Sequence, residues 1–196
     1  ADYSALRAVI SDKAIRLLLD TNNETAVAYA ETWAAGKDQH ILTLADPAYP
    51  QALLEISDPP TVLYIRGRLE TLNRPVLSIV GSRNPTPQGI QNEERFASAL
   101  AEAGLVVASG LALGIDAAAH RGALSVNGDT IAFLGTGIDR VYPARNKELA
   151  HEIGDRGTIV SEFPIGTPVI AANFPRRNRL ISGISREVLV IEAAME

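Results

Sequence analysis

The stretch that most restricts this chain is residues 105–124, LVVASGLALGIDAAAHRGAL. Leu105, Val106, Val107 and Ala108 form an apolar run too short for a helix and β-branched enough for a buried strand. Ser109-Gly110-Leu111-Ala112-Leu113-Gly114 breaks the run, with glycines where a turn leaves no room for a Cβ. Asp116 follows as an N-cap or first-turn acid, and Ala117-Ala118-Ala119 propagates a helix. Strand, small-residue loop and helix make half a βαβ unit. Such a loop bares backbone N–H groups beside a helix N-terminus, a ready site for an anion.

The same grammar recurs from Pro75 onward. Strands are expected at 76–80, 105–109, 130–134, 158–161 and 187–191. Thr86 caps and Pro87 opens the helix after the first strand, with Gly104 just past its end. Asn146 is expected to cap a short helix, and Pro175 to begin another. Five apolar strands alternating with helices predict an α/β fold, a mostly parallel sheet covered on both faces. Ligands of such sheets bind outside the carboxyl ends of the strands. The loops there are 81–87, 110–114, 135–143 and 162–175.

Upstream, residues 3–36 read as short helices. Ser11 can cap one that carries Ile15, Leu18 and Leu19 on one side. Asn22 or Asn23 can cap the next, with an apolar stripe of Ala26, Tyr29, Ala30 and Trp33, and Trp33 as a core anchor. Residues 37–75 connect, with short strands at 41–44 and 61–65 and turns at Asp46-Pro47-Ala48-Tyr49-Pro50 and Ser57-Asp58-Pro59-Pro60.

Charge decides less than placement. The net charge is −5; residues 1–75 hold 7 basic and 10 acidic residues and residues 76–196 hold 11 and 13, so neither part is a basic domain. Yet Arg83, Arg145, Lys147 and the run Arg176-Arg177-Asn178-Arg179 all lie in or beside the strand-end loops. That predicts a basic rim on one edge; the alternative is that each arginine snorkels off its helix. There is no Cys, hence no disulfide framework or thiolate zinc site, and His40, His120 and His151 are far apart, so no metal is expected. No apolar run approaches membrane length and no signal-peptide pattern opens the chain, so a cytoplasmic protein is expected.

Familiar catalytic signatures are missing. Gly135-Thr136-Gly137 is followed by Arg140 where a dinucleotide fingerprint needs glycine, and the run from Gly81 to Gly89 lacks the lysine of a phosphate loop. No GxSxG elbow is present. Asp116 and His120, four apart, can be metal ligands, an acid–base pair, or a cap and a packing side chain. Ser82, Ser109 and Ser161 end strands and can hold phosphate or loop backbone.

Taken together, several motifs resemble one family, the DNA-processing protein A (DprA, or Smf) family. They are Gly81-Ser82-Arg83, the segment from Ser109 to Asp116, Ala119-His120, Gly135-Thr136-Gly137-Ile138-Asp139, Tyr142-Pro143, Ser161-Glu162-Phe163-Pro164 and Phe174-Pro175-Arg176-Arg177-Asn178-Arg179, with Asp46-Pro47-Ala48-Tyr49-Pro50 and Asp58-Pro59-Pro60 upstream. The match runs over residues 41–192. The resemblance implies an extended Rossmann-like domain at 41–196 after a small helical, SAM-like module at 1–40. It implies a single-stranded DNA-binding recombination mediator that protects incoming DNA and helps load the RecA recombinase in natural transformation, with no cofactor and no established catalysis. It implies a homodimer in the family. Family members continue past the last strand here, so a C-terminally incomplete domain is expected, with dimer and RecA contacts largely in the later part.

Arg83 matches the arginine of the family's DNA pocket; Lys147 and Arg177-Asn178-Arg179 match neighbouring basic positions. The expected DNA-binding set is Gly81, Ser82, Arg83, Ser109, Gly110, Arg145, Lys147, Arg176, Arg177, Asn178 and Arg179. Phe163, Phe174 and Tyr142 are the aromatics available for base stacking; Phe174 can equally be a hydrophobic staple before Pro175. Two other readings stand beside this one. The first is a nucleotide-binding or nucleoside-monophosphate-processing enzyme, for which Asp116, Asp139 or Glu162 would supply the acid. The second is a small-anion-binding regulatory domain.

Overall fold

The sheet starts with an antiparallel pair, β1 (Gln39–Thr43) and β2 (Val62–Gly67), in register from Gln39 opposite Arg66 to Thr43 opposite Val62. The structure is a computed structural model that describes residues 7–9, 11–19 and 24–192. Between these strands lies the short helix α3 (Gln51–Leu54), which follows α1 (Asp12–Leu19) and α2 (Glu24–Ala34) in the chain. After a 3₁₀ turn at Leu69–Asn73 the βα units begin. They are β3 (Val76–Gly81), α4 (Pro87–Glu102), β4 (Val106–Ser109), α5 (Ile115–Ser125), β5 (Thr130–Phe133), α6 (Lys147–Arg156), β6 (Thr158–Ser161), α7 (Asn173–Ile184) and β7 (Glu187–Ile191).

The seven strands lie in the order β1-β2-β6-β5-β4-β3-β7. The five strands from β6 to β7 are parallel, and β2 pairs antiparallel with β6. The hairpin thus extends the parallel sheet through its β6 edge, a contact that local sequence signals did not indicate. β4, β5 and β6 are buried along their whole length, as expected of strands covered on both faces.

The side-chain alternation of β4 separates two cores. Val107 joins Ile79, Ala97, Ala101, Ile115, Ala119 and Ala123, so α4 and α5 cover one face. Small alanines on the facing helices let α4 and α5 pack closely, and a Cβ on Gly122 would meet the backbone carbonyl of Glu94. Val106 and Ala108 point the other way, to Leu180, Ile181 and Ile184 of α7 and to Tyr49 and Leu53. The Tyr49 hydroxyl donates to the Pro60 carbonyl at 2.7 Å, which fixes the two proline-rich turns to each other. Thr86 caps α4 by accepting from the Gly89 N–H at 3.0 Å, with Pro87 at the first helical position.

The chain divides into two compact units, residues 1–36 and 37–196. In the first, Ser11 Oγ accepts from the Ala14 N–H at 3.3 Å. The expected apolar stripe on α2 is not buried: Tyr29 is 55% exposed, Ala26 is exposed and Trp33 is half-buried. The expected caps Asn22 and Asn23 lie outside the described residues. Among the described residues no helix is long and apolar enough to cross a membrane.

Candidate functional site

The carboxyl ends of the parallel strands make one edge, called the upper edge here. The loop after β4 is its centre, and it is held from several directions. Asp116 Oδ2 accepts the N–H groups of Gly110 at 3.1 Å and Ala112 at 3.3 Å. Asn146 donates from Nδ2 to the carbonyls of Leu111 at 2.9 Å and Ala112 at 3.1 Å. Arg177 donates from Nη1 to the Gly110 carbonyl at 2.6 Å and to the Phe133 carbonyl at the end of β5. Gly114 turns the chain into α5 at φ +81°, where a Cβ would lie 2.7 Å from Pro85 Cδ.

These contacts correct three expectations. Two of the loop amides are not bare, because the chain's own carboxylate fills their place. Asn146 does not cap α6; its amide faces the β4 loop instead. Arg177 is only 4% exposed, tied to the loop's carbonyls at the wall of the edge rather than projecting from a rim. Gly110 is glycine for the same reason, since a Cβ there would come within 2.6 Å of the Arg177 guanidinium.

Burial tunes the charges beneath the edge. Burial raises the Asp116 carboxyl above its ordinary value, opposed by the Arg177 cation and by the two amides. Burial lowers Arg177 to about 10, with Asp116 pulling it back and Arg83 pushing it further. Glu93, on the α4 face packed against α5, is fully buried and neither carboxyl oxygen has a hydrogen-bond partner. Burial and the Asp116 charge push it up to about 8, so it is protonated at neutral pH. Sequence reading did not single it out. His120 is also fully buried and is lowered to about 3 by burial and by Arg177 and Arg121. The Thr130 hydroxyl donates to the Val107 carbonyl at 2.7 Å, so His120 Nδ1, 2.7 Å away, is the donor to Thr130 Oγ1. Neither Asp116 nor His120 is posed toward solvent as an acid–base pair.

The other expected residues separate into engaged and available groups. Ser109 is fully buried and donates to the Ile79 carbonyl at 2.5 Å, so it does not reach the rim. Ser161 likewise donates to the Thr136 carbonyl at 2.6 Å. Ser82 Oγ accepts the Asn84 N–H at 3.1 Å, which shapes the turn carrying Arg83. Gly81 packs under the Ile191 carbonyl with Ile115 Cγ1 2.9 Å from where a Cβ would lie. Arg179 bridges Glu162 Oε2 at 2.5 Å and Asp58 Oδ2 at 3.2 Å. Asn178 is exposed and accepts from Arg177 Nε at 3.2 Å.

Four cations remain outward. The side chains of Arg83, Arg145 and Lys147 are exposed and form no hydrogen bond or ion pair with the described residues. Arg176 is 61% exposed, with only a 3.9 Å approach to Glu162 and the face of Phe163 5.8 Å below it. Phe163 itself is buried, which removes it from the stacking candidates. Tyr142 and Phe174 are 5.5 Å apart, centroid to centroid, and tilted at 47°. With Arg83, Leu113, Val169, Ala171 and the largely buried Arg177 they line an open cavity of about 570 Å³. Val169 and Ala171 carry no polar signal and were not anticipated from sequence.

The protein is of the Rossmann-like α/β class, with exposed cations and an aromatic-lined cavity at the strand-end edge where such folds place their ligands. Residues 40–196 match the family model for DNA recombination-mediator protein A, and the chain belongs to that family. Protein Smf of Synechocystis is 48% identical over 161 residues, spanning 80% of this chain and 40% of that protein. The DNA processing protein DprA of Streptococcus pneumoniae is 44% identical over 78% of this chain and 54% of its own length. The X-ray structure of the Streptococcus pneumoniae protein superposes with a TM-score of 0.79 over 87% of this chain and 59% of that one. DNA processing protein A from Helicobacter pylori, a structure concerned with its single-stranded DNA binding mode, superposes at 0.73 with 34% identity, covering 80% of this chain and 71% of that one. The chain spans about half the length of the curated relatives it matches.

Proposed function

We propose that this protein binds single-stranded DNA along the upper edge and acts as a recombination mediator, protecting incoming DNA and helping to load RecA in natural transformation. Residues 41–196 would handle the DNA, after a helical module at 1–40, and the protein would work in the cytoplasm as part of a homodimer. It acts by binding rather than by catalysis. Arg83, Arg145, Lys147 and Arg176 meet phosphates, Gly81 and Ser82 set the turn that presents Arg83, and Tyr142 with Phe174 offers a face to a base. The observation that carries this reading is the set of exposed cations on this edge, of which Arg83, Arg145 and Lys147 have no partner among the described residues and Arg176 has only a 3.9 Å approach to Glu162. Family membership supports it, as does the DNA-binding mode reported for the Helicobacter pylori relative.

A phosphate-tracking site gains affinity as a strand lengthens; a mononucleotide site does not. Fluorescence anisotropy with oligo-dT of increasing length, a matched duplex and a mononucleotide competitor separates the two. Affinity that rises with length and resists the mononucleotide is the expected result. Saturation by one nucleotide would replace this reading with that of a nucleotide-binding domain.

A further inference from the structure

Arg177 is a cation taken out of water at the centre of the proposed site. Removing a guanidinium from solvent is costly unless its charge and donors are matched. Here the match is specific: Arg177 bridges the Gly110 carbonyl after β4 and the Phe133 carbonyl of the adjacent β5. Asp116 supplies the opposing charge and ties the amides of Gly110 and Ala112. The loop is therefore fastened through a carbonyl to α7 and through its amides to α5. A buried polar network whose members bond one another favours one geometry. The loop so fastened lines the same cavity as Arg83 and Phe174.

Resting on the DNA-binding reading, we propose that Arg177 and Asp116 are a positioning pair that presets the loops after β4 and β5 for single-stranded DNA, acting through those loops rather than as phosphate ligands. The fork is essential to that role. Nη1 reaches both carbonyls on the neighbouring strand ends while Nε holds Asn178 Oδ1 at 3.2 Å, so the planar group spans three acceptors from two nitrogens; a lysine ammonium keeps the charge but has one donor nitrogen. A direct phosphate contact behaves in the opposite way, since lysine serves a phosphate well as a point charge.

Arg177→Lys and Arg177→Met separate the alternatives, with thermal melting of each variant and oligo-dT binding measured well below the melting temperature across several salt concentrations. The pair predicts that Arg177→Lys loses about tenfold in affinity, the loss of well-placed hydrogen bonds, while folded. It predicts that Arg177→Met leaves the salt slope at the parent value. Parent-like affinity in Arg177→Lys overturns the proposal, and so does a slope reduced by about 0.7 in Arg177→Met, the signature of a lost phosphate contact. Amide hydrogen exchange gives an arm independent of DNA. Gly110 and Ala112 should exchange faster in Arg177→Lys than in the parent, and unchanged protection contradicts the pair even if the parent binds no DNA. Failure of the parent to bind DNA, with that exchange difference intact, sinks the DNA reading alone. Should Arg177→Met not fold, Arg177→Lys carries both arms.

Discussion

The two ends of the sheet use arginine in opposite ways. At the lower edge, where the parallel strands begin, Arg68 and Arg74 both close on Asp129, which is 13% exposed. Arg66 meets Asp155 at 3.2 Å, and Arg156 bonds Glu152, Asn127 and the Leu124 carbonyl. At the upper edge Arg83, Arg145 and Lys147 meet no carboxylate among the described residues, while Arg177 and Arg179 are spent on the fold. A paired cation has little field left for a ligand; an unpaired one beside strand-end loops attracts an anion. Arg186, just before β7, is an exposed exception at the lower edge; otherwise pairing, not the count of basic residues, separates the two edges, and so a chain of net charge −5 can present an edge of exposed cations.

The largest expected effect lies beneath the upper edge. Glu93 is held up to about 8 in the folded chain from 4.5. The unfolded chain therefore loses this proton first, and folding stability falls as pH rises from about 4.5 to about 8, by about 1.4 kcal/mol per pH unit for one proton. Stability attributable to this proton is complete below the window and lost above it. Glu93→Gln should flatten that slope and be more stable than the parent at pH 8. Denaturant melts at pH 5, 6.5 and 8 check this, and parallel slopes in the two proteins would refute it.

Next comes Asp129→Ala at the lower edge. It leaves two partly exposed guanidiniums without their shared carboxylate and should cost about 1–3 kcal/mol. DNA affinity should be unchanged at temperatures where the variant is folded. A loss of affinity equal to that of an upper-edge variant would erase the contrast between the edges.

Smaller still is Arg145→Ala or Lys147→Ala. Each should weaken oligo-dT binding by under about 1 kcal/mol at moderate salt, alike for all sequences, with the melting temperature unmoved. A base-dependent loss from either would show that it reads sequence rather than backbone.

Much of this architecture was legible because its signals are local. The β-branched runs at Val106-Val107 and Thr130-Ile131, the Thr86-Pro87 helix start and Gly104 past its end need only neighbours to be read. The edge that carries the loops followed from strand direction. What escaped depends on partners distant in the chain. Asn146 reads as a cap beside its own helix, yet its acceptors are 34 and 35 residues upstream. Arg177 reads as one of three rim arginines, yet it fits inside only because Gly110, 67 residues earlier, has no Cβ. Glu93 sits in a helix rich in polar residues, and nothing local marks the turn of α4 that faces α5. The β1–β2 pair joined the sheet through β6, a long-range pairing that strand propensity does not specify.

The most direct test of the account is the salt dependence of oligo-dT binding in the parent and in Arg83→Ala. With Arg83 an exposed phosphate contact, the variant should bind more weakly to every sequence. Its logarithmic slope should be shallower by about 0.7, with an unchanged melting temperature. An unchanged affinity and slope in Arg83→Ala would contradict the claim that the unpaired cations of the upper edge hold the strand.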